Sequence, residues 1–291
     1  MTLKETLKRD KTPFTLTLRG QLVTLSRPLV MGILNLTPDS FFAGSRTLDS
    51  ADAVRRARAI LEAGADIIDI GACSTRPGSE PVSEDEEKAR LSGPLQAIRD
   101  ALPDALISVD TFRSGVAKEC LGRWKADIIN DISGGDEEMY AIVARYGAGY
   151  VLMHNRGLSA KASAVDEVYH PDVVTAVVGE LAFKVDMARA AGVCNLIVDP
   201  GFGFAKSTEQ NLALLGALER LQVLGAPVLA GISRKRMARE AAGCDAAEAL
   251  VPTVALNTVA LMKGAQIIRV HDVAEGVLTA KTIEKLWLAS E

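Results

Sequence analysis

Asn35, Asp69, Asp110, Asn130 with Asp131, His154, Asp199, the triplet Ser233-Arg234-Lys235, and Arg269 with His271 all fall at the C-terminal ends of short apolar runs. Their types divide by chemistry. Asp110, Asn130 and Asp199 are acceptors suited to a flat heterocycle with several N–H donors. Arg234, Lys235, Arg269 and His271 gather in the last two runs and suit an anionic group. Arg269 and His271 stand two apart on one strand, so both side chains point the same way and can grip one anion together. Any single Asp or Asn at a strand end can be a helix cap or a loop acceptor. Eight runs ending this way point instead to a ligand site, because unpartnered ionisable groups beside a core are costly.

The elements that must position these groups are legible too. The runs occupy 29–37, 66–73, 105–111, 127–133, 149–155, 195–201, 227–233 and 266–272, all rich in Val, Ile and Leu. They are short and nearly continuous, as strands of a parallel sheet covered on both faces are. Helical spacing fills the gaps, as in Ala53, Ala57, Ile60 and Leu61, or Leu212, Leu215, Leu218 and Leu221. Ser83 followed by Glu86 forms a capping box for the helix after the second strand. A β-α unit repeated eight times favours an α/β fold closed as a (β/α)8 TIM barrel, whose C-terminal strand ends converge on one active-site face. The alternative is a doubly wound open sheet. Residues 1–28 form an N-terminal extension in which FTLTL and QLVTL alternate around Arg19-Gly20, a β-hairpin expected to cap the barrel bottom. Residues 29–291 form the barrel, ending in a helix over 273–288.

Bulk composition narrows the function. The chain has 291 residues, 48% hydrophobic and 24% charged, enough for a sizeable core. A net charge of −4, with no Lys/Arg-rich face, excludes nucleic acid as the expected partner. No apolar run is long enough to span a membrane, and the N-terminus lacks a signal peptide's apolar core. A cytoplasmic protein is expected, its four scattered cysteines free thiols with no C-x-x-C pair.

Two polar segments, Asn35-Leu-Thr-Pro-Asp-Ser-Phe41 and Ser74-Thr-Arg-Pro-Gly78, follow the first two strands as βα loops over an active site would. Read with Ser108-Val-Asp-Thr111, Asn130-Asp-Ile132, Asp199-Pro-Gly-Phe-Gly-Phe204, Ser233-Arg-Lys235 and Arg269-Val-His-Asp272, the chain resembles the dihydropteroate synthases from about Leu29 onward. The resemblance implies condensation of 6-hydroxymethyl-7,8-dihydropterin pyrophosphate with p-aminobenzoate. It implies Asn35 as a ligand of Mg2+ carried by the pyrophosphate. Asp110, Asn130, Asp199, Phe204 and Lys235 would bind the pterin, and Thr75, Arg76, Arg269 and His271 the pyrophosphate. Phe41, Pro77 and Ser233 would help hold p-aminobenzoate. Asp110, Lys235, Arg269 and His271 are then the catalytic candidates, and a homodimer is expected by likeness alone.

The chain departs from the family pattern at Ala43 in the first loop, at Ala72-Cys73 where Gly-Glu is usual, and at Arg236 where Ser or Thr is usual. The rivals are a methyltetrahydrofolate-dependent methyltransferase, which needs a corrinoid partner, and a pterin-binding paralogue without turnover.

Overall fold

The computed structural model describes residues 13–36, 50–73, 82–156 and 168–289. Strands β1 (Phe14–Leu18) and β2 (Gln21–Leu25) pair antiparallel around Arg19 and Gly20, both at positive φ. Two successive left-handed residues make the tight turn whose twist matches a hairpin's.

Eight parallel strands follow: β3 (Leu29–Asn35), β4 (Ile67–Gly71), β5 (Leu106–Asp110), β6 (Ile128–Asp131), β7 (Gly149–Met153), β8 (Asn195–Asp199), β9 (Leu229–Ala230) and β10 (Ile267–Val270). Their order is β8-β7-β6-β5-β4-β3-β10-β9, and a parallel bridge from Val198 to Val228 joins the two ends. The sheet therefore closes, which excludes the open doubly wound alternative. At that seam β9 is only two residues long. Pro227 at its entrance has no N–H to give the ladder, although its carbonyl accepts from Val198 N at 2.9 Å.

Helices α1 (Ser50–Glu62), α2 (Glu84–Ala101), α3 (Ser114–Gly122), α4 (Glu137–Tyr146), α5 (Val173–Ala190), α6 (Thr208–Gly216), α7 (Arg236–Ala242), α8 (Leu250–Met262) and α9 (Val273–Leu288) cover the outside. Two of them, α7 and α8, occupy the last crossover, where a plain repeat would place one. Ser83 Oγ accepts from Glu86 N at 3.2 Å and caps α2 as expected. The run Leu212, Leu215, Leu218 and Leu221 is not one α-helix: α6 stops at Gly216, and Leu218–Leu224 is a 3₁₀ helix. Leu218 and Leu221 keep the 3₁₀ spacing of three, whereas Leu212 and Leu215 lie on α6.

Period-2 alternation sorts every strand into two environments. Leu29, Met31, Ile67, Ile128, Val151, Ile197, Leu229 and Ile267 point into the barrel and form an apolar floor with Leu16, Leu18 and Leu25 of the hairpin. Their neighbours Val30, Ile68, Ile107, Ile129, Tyr150, Val198, Ala230 and Ile268 point out into a separate core beneath the helices. Higher on the inward rows come Asn35, Asp69, Asp110, Asn130, Asp199 and Arg269. The barrel is thus oil below and polar above.

The hairpin plugs the lower end by specific bonds as well as by area. Asn195 Oδ1 accepts from Thr17 N at 2.7 Å, and its Nδ2 donates to Thr17 O at 2.9 Å and Gly147 O at 3.1 Å. Asp127, fully buried, accepts from Arg99 Nη2 at 2.7 Å and Ile107 N at 2.8 Å and pairs with Arg19 of the hairpin turn. Asn195→Ala would remove the partner of both Thr17 peptide groups at a part-buried seam, costing about 1–2 kcal/mol. Urea unfolding should register that loss; a loss below about 0.5 kcal/mol would mean that packing alone seats the hairpin.

Candidate active site

Arg269, on the inward row of β10, holds the centre of the upper barrel. Its Nε donates to Asp69 Oδ2 at 2.7 Å and its Nη2 to Asp110 Oδ2 at 2.8 Å. Asn130 Nδ2 donates to the same Asp69 oxygen at 3.2 Å, so one cluster joins β10, β4, β5 and β6. Burial works against the Arg269 charge, but Asp69 and Asp110 together raise its pKa above the ordinary guanidinium value. It is a permanent cation. Burial pushes the Asp110 carboxyl upward, Arg269 pulls against that, and Asp69 adds repulsion. The Asp110 side chain keeps 22% of its surface open at the mouth, whereas Asp69 keeps none.

This differs from the expected grip of Arg269 and His271 on one anion. The two share a side of the strand but not a depth. Arg269 lies within β10 and takes the carboxylates nearest to it, since a buried guanidinium left unpaired would be far costlier. His271 lies past the strand end, exposed, with Nδ1 3.1 Å from Ser233 Oγ. Arg234 also leaves the expected cation cluster: its guanidinium makes a two-pronged pair with Asp272, both contacts 2.8 Å.

A second group faces the first. The nearly buried Asp199 receives Gly201 N on Oδ1 at 2.7 Å. Burial raises its pKa while Lys235 opposes the rise. Lys235 Nζ donates to Phe202 O at 2.5 Å and sits 4.6 Å from the centre of the Phe204 ring. Burial pushes this ammonium down to about 8 against the pull of Asp199, with Arg269 pushing the same way as burial. Between Asp199 and Lys235 the floor is Gly231, where a β-carbon would stand 3.6 Å from Asp199 Oδ2 and 3.7 Å from Lys235 Nζ. Across the mouth, a β-carbon on Gly71 would stand 3.9 Å from Asn35 Oδ1 and 3.5 Å from Asp110 Cβ. Glycines keep both gaps open. Gly201 is required for another reason: its φ is +69°, and a β-carbon there would lie 2.0 Å from His154 O.

The structure thus brings together Asn35, Asp110, Asn130, Asp199, Phe204, Lys235 and Arg269, with Ser233 and His271 at the adjoining rim. Asp131 and His154 do not join them. Each sits one residue out of the inward phase of its strand and faces the helices: Asp131 accepts from Tyr150 Oη at 2.7 Å, and His154 Nε2 meets Glu180 Oε2 at 3.0 Å. Phe41, Thr75, Arg76, Pro77 and Ala43 lie outside the described residues. Burial and Glu87 push the Cys73 thiol up to about 11, against the pull of Arg113, which donates to the sulfur. Two groups the sequence did not single out are Gly231 and the buried Lys206. Gly231 sits one inward step below Ser233, so strand phase would have found it.

Residues 31–271 match the family described as pterin binding enzyme. A dihydropteroate synthase of Clostridium beijerinckii is 40% identical over 260 residues, 88% of this chain and 93% of that one. The chain belongs to the dihydropteroate synthase family. A Haloferax volcanii protein described as a probable bifunctional folylpolyglutamate synthase/dihydropteroate synthase is 45% identical over 251 residues, and there the match spans only 29% of the relative's length. The Xanthomonas albilineans dihydropteroate synthase, solved with 4-aminobenzoic acid, superposes with a TM-score of 0.84 at 37% identity, covering 96% of this chain and 98% of that one.

In a dihydropteroate synthase built this way, Gly231→Ala should fold normally, because the added methyl meets its neighbours at ordinary contact distance. It should nevertheless weaken pterin binding by roughly tenfold, since a methyl group would intrude between Asp199 and Lys235. Calorimetric titration with 6-hydroxymethylpterin checks this; unchanged affinity would place the heterocycle elsewhere.

Proposed function

We infer that the chain condenses 6-hydroxymethyl-7,8-dihydropterin pyrophosphate with p-aminobenzoate, giving 7,8-dihydropteroate and pyrophosphate. The observation that carries this reading is the facing pair of polar groups, Asp199 with Lys235 and Asp110 with Asn130, over glycine floors in a barrel of this family. A carboxylate such as Asp199 accepts two parallel N–H bonds from an aminopyrimidine edge, as it would from a guanidinium. Asn130 and Asp110 address the rest of the ring. Lys235 closes the pocket against Phe204. Thr75, Arg76 and His271 are assigned to the pyrophosphate, and Phe41, Pro77 and Ser233 to p-aminobenzoate, by their motifs. Arg269, committed to Asp69 and Asp110, adds positive charge from beneath and orients both carboxylates.

The bond that breaks joins the pterin methylene to a pyrophosphate oxygen, which leaves with the electron pair. The arylamine lone pair forms the new C–N bond, and one N–H proton passes to solvent. The arylamine of p-aminobenzoate is a weak base and uncharged near pH 7, so its attack needs no strong general base, and positioning supplies much of the acceleration. As the leaving group departs the methylene becomes electron-poor, and the Asp110 carboxylate at the mouth stabilises that charge.

Mg2+ belongs to this reading. Among the described residues no group of three or more His, Cys, Asp or Glu could hold a metal, while Asn35 offers an amide oxygen beside Asp110. One protein oxygen suits an ion that keeps its waters and arrives on a substrate's phosphates. Bound there, it would neutralise charge on the leaving group. A cytoplasmic location fits the four free cysteines and the lack, among the described residues, of any helix long and apolar enough to cross a membrane.

A homodimer is also proposed. Val251 and Val259, eight residues apart on one face of α8, are 75% and 37% exposed, and Leu278 and Leu286 are exposed on neighbouring α9. Sedimentation should give twice the chain mass of 30.9 kDa, and Val251→Asp with Val259→Asp should give monomers. A wild-type monomer at micromolar concentration would remove the dimer.

The reaction is tested by p-aminobenzoate-dependent release of pyrophosphate. Its kcat/KM should rise as Asp110 ionises and fall as Lys235 loses its proton near pH 8. Asp110→Asn should lower kcat by roughly 10²-fold or more and remove the acid limb. Pterin binding without pyrophosphate release at any pH would instead make the chain a binding paralogue.

A further inference from the structure

Lys206 follows the glycine-bearing segment after β8 and is 2% exposed, yet among the described residues no carboxylate lies within hydrogen-bond distance of it. Its Nζ has three neighbours at hydrogen-bond distance: His154 Nδ1 at 3.0 Å, Gly201 O at 3.1 Å and Phe204 O at 3.1 Å. Three acceptors match the three donors of an ammonium. Burial pushes its pKa down to about 7, with Asp199 opposing and Lys235 reinforcing the fall. A buried ammonium whose three hydrogen bonds all go to neutral acceptors, with Asp199 acting only through space, is an expensive way to brace a loop, which raises the question of what the loop must do.

The opposite side of the same segment answers it. Gly201 N holds Asp199 Oδ1, Phe202 O receives Lys235 Nζ, and the Phe204 ring lies against that ammonium. The groups that would meet the heterocycle are therefore bonded to a backbone whose far side Lys206 pins at both ends. The bracing continues as a ring. With Lys206 donating to Nδ1, neutral His154 carries its proton on Nε2 and donates to Glu180. Burial and the nearby Lys206 keep His154 neutral by pushing its pKa down to about 3. Glu180 pairs with Arg156, Arg156 stacks 3.9 Å over Tyr169, and Tyr169 Oη donates to Ala205 O at 2.8 Å, back on the segment beside Lys206.

We propose that Lys206 is a positioning residue for the pterin half of the site: it fixes the Gly201–Phe204 backbone and thereby the orientation of Asp199 and Lys235. The assignment rests on the pterin pyrophosphate reading above. It predicts a loss of pterin affinity that a purely stabilising lysine would not produce, because a variant that is only less stable keeps the geometry of the site once folded.

The test compares wild type with Lys206→Met, which keeps the length of the side chain and removes every donor. Calorimetric Kd for 6-hydroxymethylpterin, measured on the folded protein, should rise at least tenfold. Asn195→Ala, destabilised at the other end of the barrel, should leave the pterin Kd unchanged. Tyr169→Phe, nearly isosteric, should shift the Kd in the same direction by two- to fivefold, and it carries the test if Lys206→Met does not fold. A pterin Kd within twofold of wild type in folded Lys206→Met, or in Tyr169→Phe if that variant alone folds, overturns the assignment. So does an equal rise in Asn195→Ala, since lost stability alone would then account for the change. A wild-type chain that binds no pterin overturns the functional reading itself, a result distinguishable from either.

Discussion

The burial of one guanidinium governs the upper half of this barrel. Arg269 reaches the interior from β10, the strand farthest along the chain, and is held by Asp69 and Asp110 from strands 200 and 159 residues earlier. Neither side of that pairing is stable inside the barrel alone, because an unmatched buried charge costs several kcal/mol. The pairing therefore ties β10 across the barrel interior to β4 and β5 and aims Asp110 and Asn130 at the mouth. The apolar floor below makes it possible. Isoleucine, leucine and methionine fill the lower layers, the hairpin seals them from solvent, and the polar layer above sits on a dry base.

The other half of the site depends on backbone rather than on ion pairing. Asp199 and Lys235 are oriented by peptide groups of the segment after β8, which turns so tightly that Gly201 admits no side chain. One half is thus set by charge and the other by loop conformation. A heterocycle between them would be gripped at both edges, leaving its reactive arm directed to the rim where Asn35, Ser233 and His271 stand. Catalysis that works by positioning and by stabilising charge needs such rigidity more than it needs a special nucleophile.

Much of this was legible in the sequence. Eight apolar runs forecast the closed barrel because both-face burial leaves no polar phase in a strand, and FTLTL and QLVTL forecast the hairpin because theirs does alternate. Asp110, Asn130, Asp199 and Lys235 were found because strand ends are few and charges there are conspicuous. Asp131 and His154 were grouped with them wrongly: one residue of phase sends a side chain to the opposite face, and position near a strand end does not carry that phase. Arg269 lies on the inward row that its spacing predicts, but its pairing with Asp69 and Asp110 is not legible in that spacing, since sequence cannot tell how deep a side chain sits. Gly231 and Lys206 were missed because neither type is unusual after a strand. Their weight comes from what lies 3 to 4 Å away, on segments distant in the chain.

A crystal structure with the pterin pyrophosphate bound tests the central claim most directly. The account predicts the aminopyrimidine edge on Asp199, Asp110 and Asn130 at the rest of the ring, Lys235 beside Phe204, and Arg269 still bonded to both Asp69 and Asp110. A pterin lying outside these groups, or an Arg269 that abandons Asp69 to hold the pyrophosphate, would contradict it.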